Sequence, residues 1–393
     1  LYIYIIILKG AAMIYFDNAA TSFPKAPNVG GSMANFIEKY AVNINRGSYT
    51  SAFKIEELVF DCRCKLAKLF NCPDCKNIIF TTNVTFALNM VIKGFLKPGD
   101  HVLVSEMEHN AVMRPIKQLE AQGVSVSRIP CDGFGYIRND KLKDLIQGNT
   151  KALICTHSSN ICGSIMPIEE LGAVCLEHNM EFIVDAAQSA GVLDIDMEKM
   201  NISALCFTGH KSLMGPQGIG GFAVTDSFAS KLNPLISGGT GSFSDSEEVP
   251  LILPDKFEAG TLNLPGIIGL NTALDYIERV GIENIHEHEL SLTSYFLEGL
   301  KKIEGIKILG SPNIENRTAV VSISVKSKDL ALMSFDLENK YGIQVRTGLH
   351  CAPNAHKALG SFPEGSIRFS FSYHNTKEEV NICLDALKAI MKN

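Results

Sequence analysis

The chain has 393 residues, 46% hydrophobic and 20% charged, with a net charge of −6. That is enough for two domains sharing a large buried core, and it lacks the basic surplus a nucleic-acid partner demands. No stretch approaches the roughly 20 apolar residues of a membrane span, and eleven cysteines without framework spacing predict free thiols in a reducing, cytoplasmic setting.

In chain order, Leu1 to Leu8 form an apolar run too short to span a bilayer and without the basic start or cleavage region of a signal peptide. Residues 1–12 therefore read as an extension upstream of Met13. Ile55, Leu58, Val59, Leu66 and Leu69 recur with helical period over residues 55 to 70. On that helix Cys62 and Cys64 project about 200° apart, so together with Cys72 and Cys75 they predict no metal site. Strands are expected at Ile78 to Thr81, His101 to Ser105, Val124 to Ile129, Ala152 to Thr156, Phe182 to Val184, Ala204 to Phe207 and Gly220 to Val224, with helices between most of them. This pattern predicts an α/β fold with a mostly parallel sheet covered on both faces. Beyond Thr261 come helices near 265 to 280 and 284 to 303, strands near Ile306 and from Ala319 to Val325, a helix near 328 to 340, and a last helix from Thr376. The expected division is an N-terminal segment plus a large domain over 13–262, and a smaller α+β domain over 263–393 that carries the Cys351 loop and Arg368.

The chemistry concentrates in Thr208-Gly-His-Lys211-Ser-Leu-Met-Gly-Pro-Gln-Gly-Ile-Gly-Gly221, a lysine in a glycine-rich loop downstream of Asp185, which ends the apolar run Glu-Phe-Ile-Val-Asp. Pyridoxal phosphate requires an amine for its aldehyde carbon and a carboxylate for its pyridine nitrogen. Lys211 and Asp185 suit those roles, Asp185 at the carboxyl end of a buried strand where open α/β sheets bind ligands. Thr81-Thr82-Asn83-Val84-Thr85, between a strand and a helix, offers backbone N–H groups to a phosphate at the helix's positive end. Thr82 or Thr85 also suits a helix cap there.

These segments occur with Tyr15-Phe-Asp-Asn-Ala-Ala-Thr21, Glu108-His109-Asn110, Ser159-Asn160, Val184-Asp185-Ala-Ala-Gln188, Phe257-Glu-Ala-Gly-Thr261, Arg346-Thr-Gly-Leu-His-Cys351-Ala-Pro and Arg368-Phe-Ser, in order along the chain. On these motifs the sequence resembles the fold-type I, class V aminotransferase superfamily, and within it the group II cysteine desulfurases. The resemblance implies that Lys211 carries pyridoxal 5'-phosphate and Asp185 its ring nitrogen. It also implies that His109 stacks on the ring and moves protons, that Ala187 supports the other face, and that Asn160 and Gln188 reach the ring oxygen. Val84, Thr85, Thr208 and His210 would hold the phosphate, joined by Thr261 from the neighbouring subunit of a homodimer, with Gly238 to Ser242 a loop near the partner's pocket. Arg368 would clamp the substrate carboxylate, with Arg346 and Asn160 beside it.

Cys351 would take sulfur from L-cysteine as a persulfide and pass it to a protein or thiol acceptor, for iron–sulfur clusters or another sulfur-containing cofactor. Arg346 and His350 are expected to favour its thiolate. Asn83-Val84 and Phe86 depart from the family's usual glycine-containing pair and acidic residue, and Thr347 and Leu349 from its usual alanine and second histidine. The competing readings are a selenocysteine lyase or another class V aminotransferase or lyase, and a catalytically silent cofactor-binding assembly partner. Intact Lys211, Asp185 and Arg368 speak against the last.

Overall fold

The computed structural model describes residues 13–44, 49–242 and 245–392; the expected extension at 1–12 lies outside them. Two sheets and a short strand pair organise the chain. The strands are β1 (Ile14–Tyr15), β2 (Ile78–Thr81), β3 (His101–Ser105), β4 (Ser125–Ile129), β5 (Thr150–Thr156), β6 (Glu181–Asp185), β7 (Ala204–Thr208), β8 (Gly220–Val224), β9 (Ile306–Leu309), β10 (Val320–Val325), β11 (Ile343–Gln344), β12 (Arg346–Gly348) and β13 (Ser366–Ser370).

The large sheet runs β2-β8-β7-β6-β5-β3-β4, with β8 antiparallel to both neighbours and the other pairings parallel. Apart from the edge strand β4, its strands are buried on both faces. Leu103, Leu153, Cys155, Phe182, Val184 and Leu205 enter one core with the helices Thr50–Leu69 and Leu264–Val280; Val102, Val104, Ala152, Ile154 and Ile183 enter another with Val84–Phe95 and Asn110–Glu120. Burial on both sides explains the near-continuous hydrophobic runs that mark parallel strands. The chain leaves β3 outward to β4 and β5 in the other direction through β6 and β7, so a topological switch lies between β3 and β5.

The smaller sheet, β12-β13-β10-β9, is antiparallel throughout. Helices Ile282–Leu300, Leu330–Tyr341 and Lys377–Lys392 cover it through Phe296, Leu337 and Leu387. The last helix starts on a reciprocal cap: Thr376 Oγ1 accepts from Glu379 N–H at 3.2 Å while Glu379 Oε2 accepts from Thr376 N–H at 2.9 Å. β1 pairs in parallel with β11, and Ile14 and Phe16 join the core of the smaller sheet. The residues after β1 thus cross between the two sheets, toward Lys211.

Candidate active site

The carboxyl ends of the large sheet surround a cavity of about 300 Å³. It gathers Val84, Thr85, His109, Asn160, Asp185, Ala187, Gln188, Thr208, His210 and Lys211, with Asn83 and Thr156 in addition. Asp185 is the last residue of β6, and its Oδ1 accepts the Ala187 N–H at 2.9 Å. Burial raises the Asp185 carboxyl above its ordinary range, opposed by that hydrogen bond and by Lys211. The Lys211 amine goes the other way, down to about 8: burial dominates, Asp185 resists, and Arg368 and Arg346 push in the same sense as burial. A lysine so placed holds a substantial neutral fraction near physiological pH, as a nucleophile or base requires.

His109 precedes the helix Asn110–Glu120 and caps it, Nδ1 accepting the Ala111 N–H at 3.0 Å. Burial, then Lys211 and Arg346, lowers it to about 4. The imidazole is therefore neutral, with its proton on Nε2. Behind it Glu108 ties β3 to β5: its Oε1 accepts from Ser105 Oγ at 2.5 Å and from Thr156 N–H at 2.8 Å. Burial drives Glu108 up to about 8.

The phosphate end differs from expectation in its cap. Asn83, not Thr82 or Thr85, caps the helix Val84–Phe95, accepting the Phe86 N–H at 3.0 Å. Thr82 lacks that geometry, and Thr85 already lies inside the helix. The first helical N–H groups have no intrahelical acceptor, and here they border the cavity. The turn sits tightly on β8, since a Cβ on Gly220 would come within 2.9 Å of Asn83 Cα. Thr208 Oγ1 and His210 Nδ1 are buried without a partner among the described residues. Burial lowers His210 to about 4, so its neutral ring and the Thr208 hydroxyl can each donate one hydrogen bond to a phosphate oxygen. An unpaired amine opposite a buried carboxylate, with idle donors and a helix start at the far end, fits pyridoxal phosphate.

Thr261 lies outside this cavity, lining with Gly239, Thr240 and Gly241 a separate hollow of about 90 Å³. Its neighbour Glu258 forms a buried bidentate pair with Arg63, at 2.9 and 2.6 Å, and accepts the Phe80 N–H at 2.6 Å. The segment carrying Thr261 is thereby fixed to the strand that leads into Asn83. Cys62 points into the core, while Cys64 lies toward Cys75.

Arg368, in the centre of the smaller sheet, is only 1% exposed. Its Nη2 meets Asp17 Oδ1 at 2.7 Å, its Nη1 donates to the Asn160 carbonyl at 3.2 Å, and its Nε is buried without a partner among the described residues. Arg346 stands opposite it across β12 and β13, half-buried, with no side-chain hydrogen bond or ion pair among the described residues. Asn160 and Gln188 each commit an amide N–H to the protein, Asn160 to His350 O at 2.8 Å and Gln188 to Ala19 O at 3.0 Å.

Cys351 is exposed on a turn that follows β12. His350 and Cys351 both take left-handed backbone, φ 46° and 60°, which costs roughly 1–3 kcal/mol for each non-glycine residue. Three hydrogen bonds hold the turn: Asn160 Nδ2 to His350 O, Asn110 N–H to Cys351 O at 2.8 Å, and Ala352 N–H to Leu349 O at 2.9 Å. The expectation that His350 helps ionise Cys351 through positive charge is corrected. Burial first, then Arg368, lowers His350 to about 2, so its ring is neutral; Nε2 bonds Ser366 Oγ at 3.0 Å.

Sequence reasoning assigned no role to Asp17, Glu108 or Thr156, and none to the Asn83 side chain. Asp17 and Glu108 lay inside quoted motifs, but the bonds of Asp17 to Arg368 and of Glu108 to Thr156 join residues distant in sequence, so only the fold reveals them.

A family model for aminotransferase class-V matches residues 14–383. The chain is 32% identical over 382 residues to a probable cysteine desulfurase of Methanothermobacter thermautotrophicus, covering 96% of this chain and 94% of that protein. It is 33% identical over 391 residues to one from Pyrococcus abyssi, covering 97% and 95%. Among solved structures, the apo cysteine desulfurase of Thermococcus onnurineus superposes with a TM-score of 0.91 at 32% identity, covering 97% of this chain and 95% of that one. The fold, the site at the strand ends and the match along nearly the whole sequence lead to one statement: this chain belongs to the aminotransferase class-V family.

Proposed function

We propose that the protein is a pyridoxal-phosphate-dependent cysteine desulfurase, converting L-cysteine to L-alanine and passing the sulfur through Cys351 to a protein or thiol acceptor. The observation that carries the reading is the tether of the Cys351 turn to the cavity: the residue after His109 binds the Cys351 carbonyl, and Asn160 binds that of His350. These two bonds hold the backbone of the thiol-bearing turn, which follows a strand of the smaller sheet, against the start of the helix capped by His109 and against Asn160 of the cavity.

Lys211 and Asp185 would hold the cofactor's two ends of reactivity, with Thr208, His210 and the helix start at Val84 and Thr85 on the phosphate. Bound pyridoxal phosphate would supply an electron sink conjugated to the substrate's Cα. Arg346 and Arg368 orient the substrate carboxylate. Neutral Lys211 takes the Cα proton on Nζ, and His109 Nε2 carries a proton close by. Asp185 keeps a counter-charge for the ring nitrogen. The Cys351 thiolate then attacks the substrate sulfur. An S–S bond forms as the Cβ–S bond breaks, its electron pair stays with the carbon frame, and protonation of that frame gives alanine. The persulfide's outer sulfur passes to the acceptor, with iron–sulfur cluster assembly a fitting destination.

Thr261, outside the protein's own cavity, supports a homodimer in which it reaches the partner's phosphate. Eleven free thiols suit a reducing cytoplasm. Incubating the cofactor-loaded protein with L-cysteine and a reductant should give alanine and sulfide in equal amounts. Alanine without sulfide, or neither, would refute the reading.

A further inference from the structure

The substrate end of the site already contains a carboxylate. Asp17 Oδ1 lies 2.7 Å from Arg368 Nη2, and the Asp17 side chain is 20% exposed against 2% for the arginine. Its backbone is fixed rather than loosely placed. Asp17 bridges Ser370, Ser370 N–H donates to Phe16 O at 2.8 Å, Ala19 N–H donates to Ser370 Oγ at 2.9 Å, and Asn18 Nδ2 donates to Ser370 O at 2.9 Å. Tyr15 Oη closes the turn on Asp17 O and Thr21 O at 3.2 and 3.0 Å.

Donor capacity at this end is not used up. Lys211, Arg346 and Arg368 act on one another electrostatically, with Asp17 and Asp185 opposing them. Among the described residues Arg346 makes no side-chain hydrogen bond or ion pair, and Arg368 Nε is buried without an acceptor. The donors left over, an arginine fork and one side of another, suit a single further carboxylate.

We propose that Asp17 is a resident stand-in for the ligand's α-carboxylate: it keeps the buried Arg368 paired when the site is empty and competes with the amino acid that binds there. This rests on the amino-acid substrate assigned above. The competition holds by either route of approach. A carboxylate that takes Arg368 end-on displaces Asp17, and one that lodges between Arg346 and Arg368 Nε sits beside it, like charge to like. Asp17 therefore sets a threshold on affinity while preventing the loss of stability that an unpaired buried guanidinium brings. It is a specificity-determining residue that makes no bond to the reacting atoms.

The test uses the cofactor-loaded protein, with binding of L-alanine followed by thermal shift and by the chromophore's spectrum. Asp17→Asn should lower the unliganded melting temperature, yet bind L-alanine roughly tenfold more tightly than wild type. Ethylamine, which lacks the carboxylate, should bind both alike. In Asp17→Ala, sodium acetate should restore the melting temperature and compete with L-alanine; Asp17→Glu, which keeps the charge, should show no gain in affinity. Unchanged or weaker L-alanine binding in a folded Asp17→Asn protein, or no stabilisation of Asp17→Ala by acetate, would overturn the proposal and leave Asp17 as a simple brace. Should wild type fail to bind L-alanine at all, the substrate reading fails instead, while acetate rescue still reports on the seat of Arg368.

Discussion

Lys211 and Asp185 stand at the ends of buried strands, each shifted in charge by the core around it, whereas Cys351 rides an exposed turn whose backbone is left-handed at two successive residues. The first region is made reactive by burial, and its geometry follows from a sheet that could take few other forms. The second is held by three hydrogen bonds, two of them crossing from the smaller sheet to the larger. What differs is the source of precision: packing at the cofactor end, and a small number of polar tethers at the sulfur end.

Removing the amine breaks the packed half most severely. Lys211→Ala should lower turnover of L-cysteine by more than about 10³-fold, since nucleophile and base are lost together, and borohydride should no longer fix the cofactor to the protein. In wild type, the rate at which the cofactor-free protein captures the cofactor should rise with pH through about 8, because only neutral Lys211 reacts. A flat profile would show that burial does not govern this lysine.

The buried groups also set the pH dependence of folding. Burial lowers His109, His157, His210 and His356 to about 4 and His350, with help from Arg368, to about 2. Between those values and 6.5 the unfolded chain binds protons the native state refuses, so stability falls as pH falls through that window. Glu108 and Glu289 are raised to about 8; between 4.5 and 8 the native state holds protons the unfolded chain has released, so stability falls as pH rises. With histidines outnumbering glutamates, denaturation midpoints should peak near pH 6.5. Glu289→Gln, an uncharged replacement within the core, should stabilise the protein by on the order of 4 kcal/mol at pH 8 and leave it unchanged below pH 4.5. Equal effects at both pH values would assign the change to packing.

The smallest expected effect concerns the partner subunit. Thr261→Ala should weaken cofactor binding by about tenfold, the value of one hydrogen bond to a charged phosphate, and should do so only in the dimeric species. A monomer with full cofactor occupancy would remove the shared site.

Much of the packed half was legible in the sequence, for a physical reason. Strands buried on both faces leave continuous apolar runs, so β2, β3 and β8 coincide with their expected limits, while β4 to β7 differ by one or two residues at one or both ends. The cavity residues follow because they sit at those strand ends. The short strands β1, β11 and β12 were not foreseen: two or three residues carry no periodicity, and their pairing joins Ile14 to Ile343 across nearly the whole chain. For the same reason the pairing of Arg368 with Asp17 and the tether of Asn160 to His350 were invisible. Each is a contact between residues whose nearness only the two sheets create. The neutral state of His350 also needed the fold, since a histidine next to a cysteine reads as a positive neighbour until its burial is known.

The central claim is that the tethered thiol, and no other, receives the sulfur. L-cysteine labelled with ³⁵S, added to the loaded enzyme without reductant, should leave label on the peptide containing Cys351, released by dithiothreitol. Cys351→Ala should retain no label and lose cysteine turnover, while sparing much of any turnover of selenocysteine, whose weaker C–Se bond needs less nucleophilic help. Label on another of the eleven cysteines, or near-normal sulfide release by Cys351→Ala, would contradict the account and move the protein to a different class V activity.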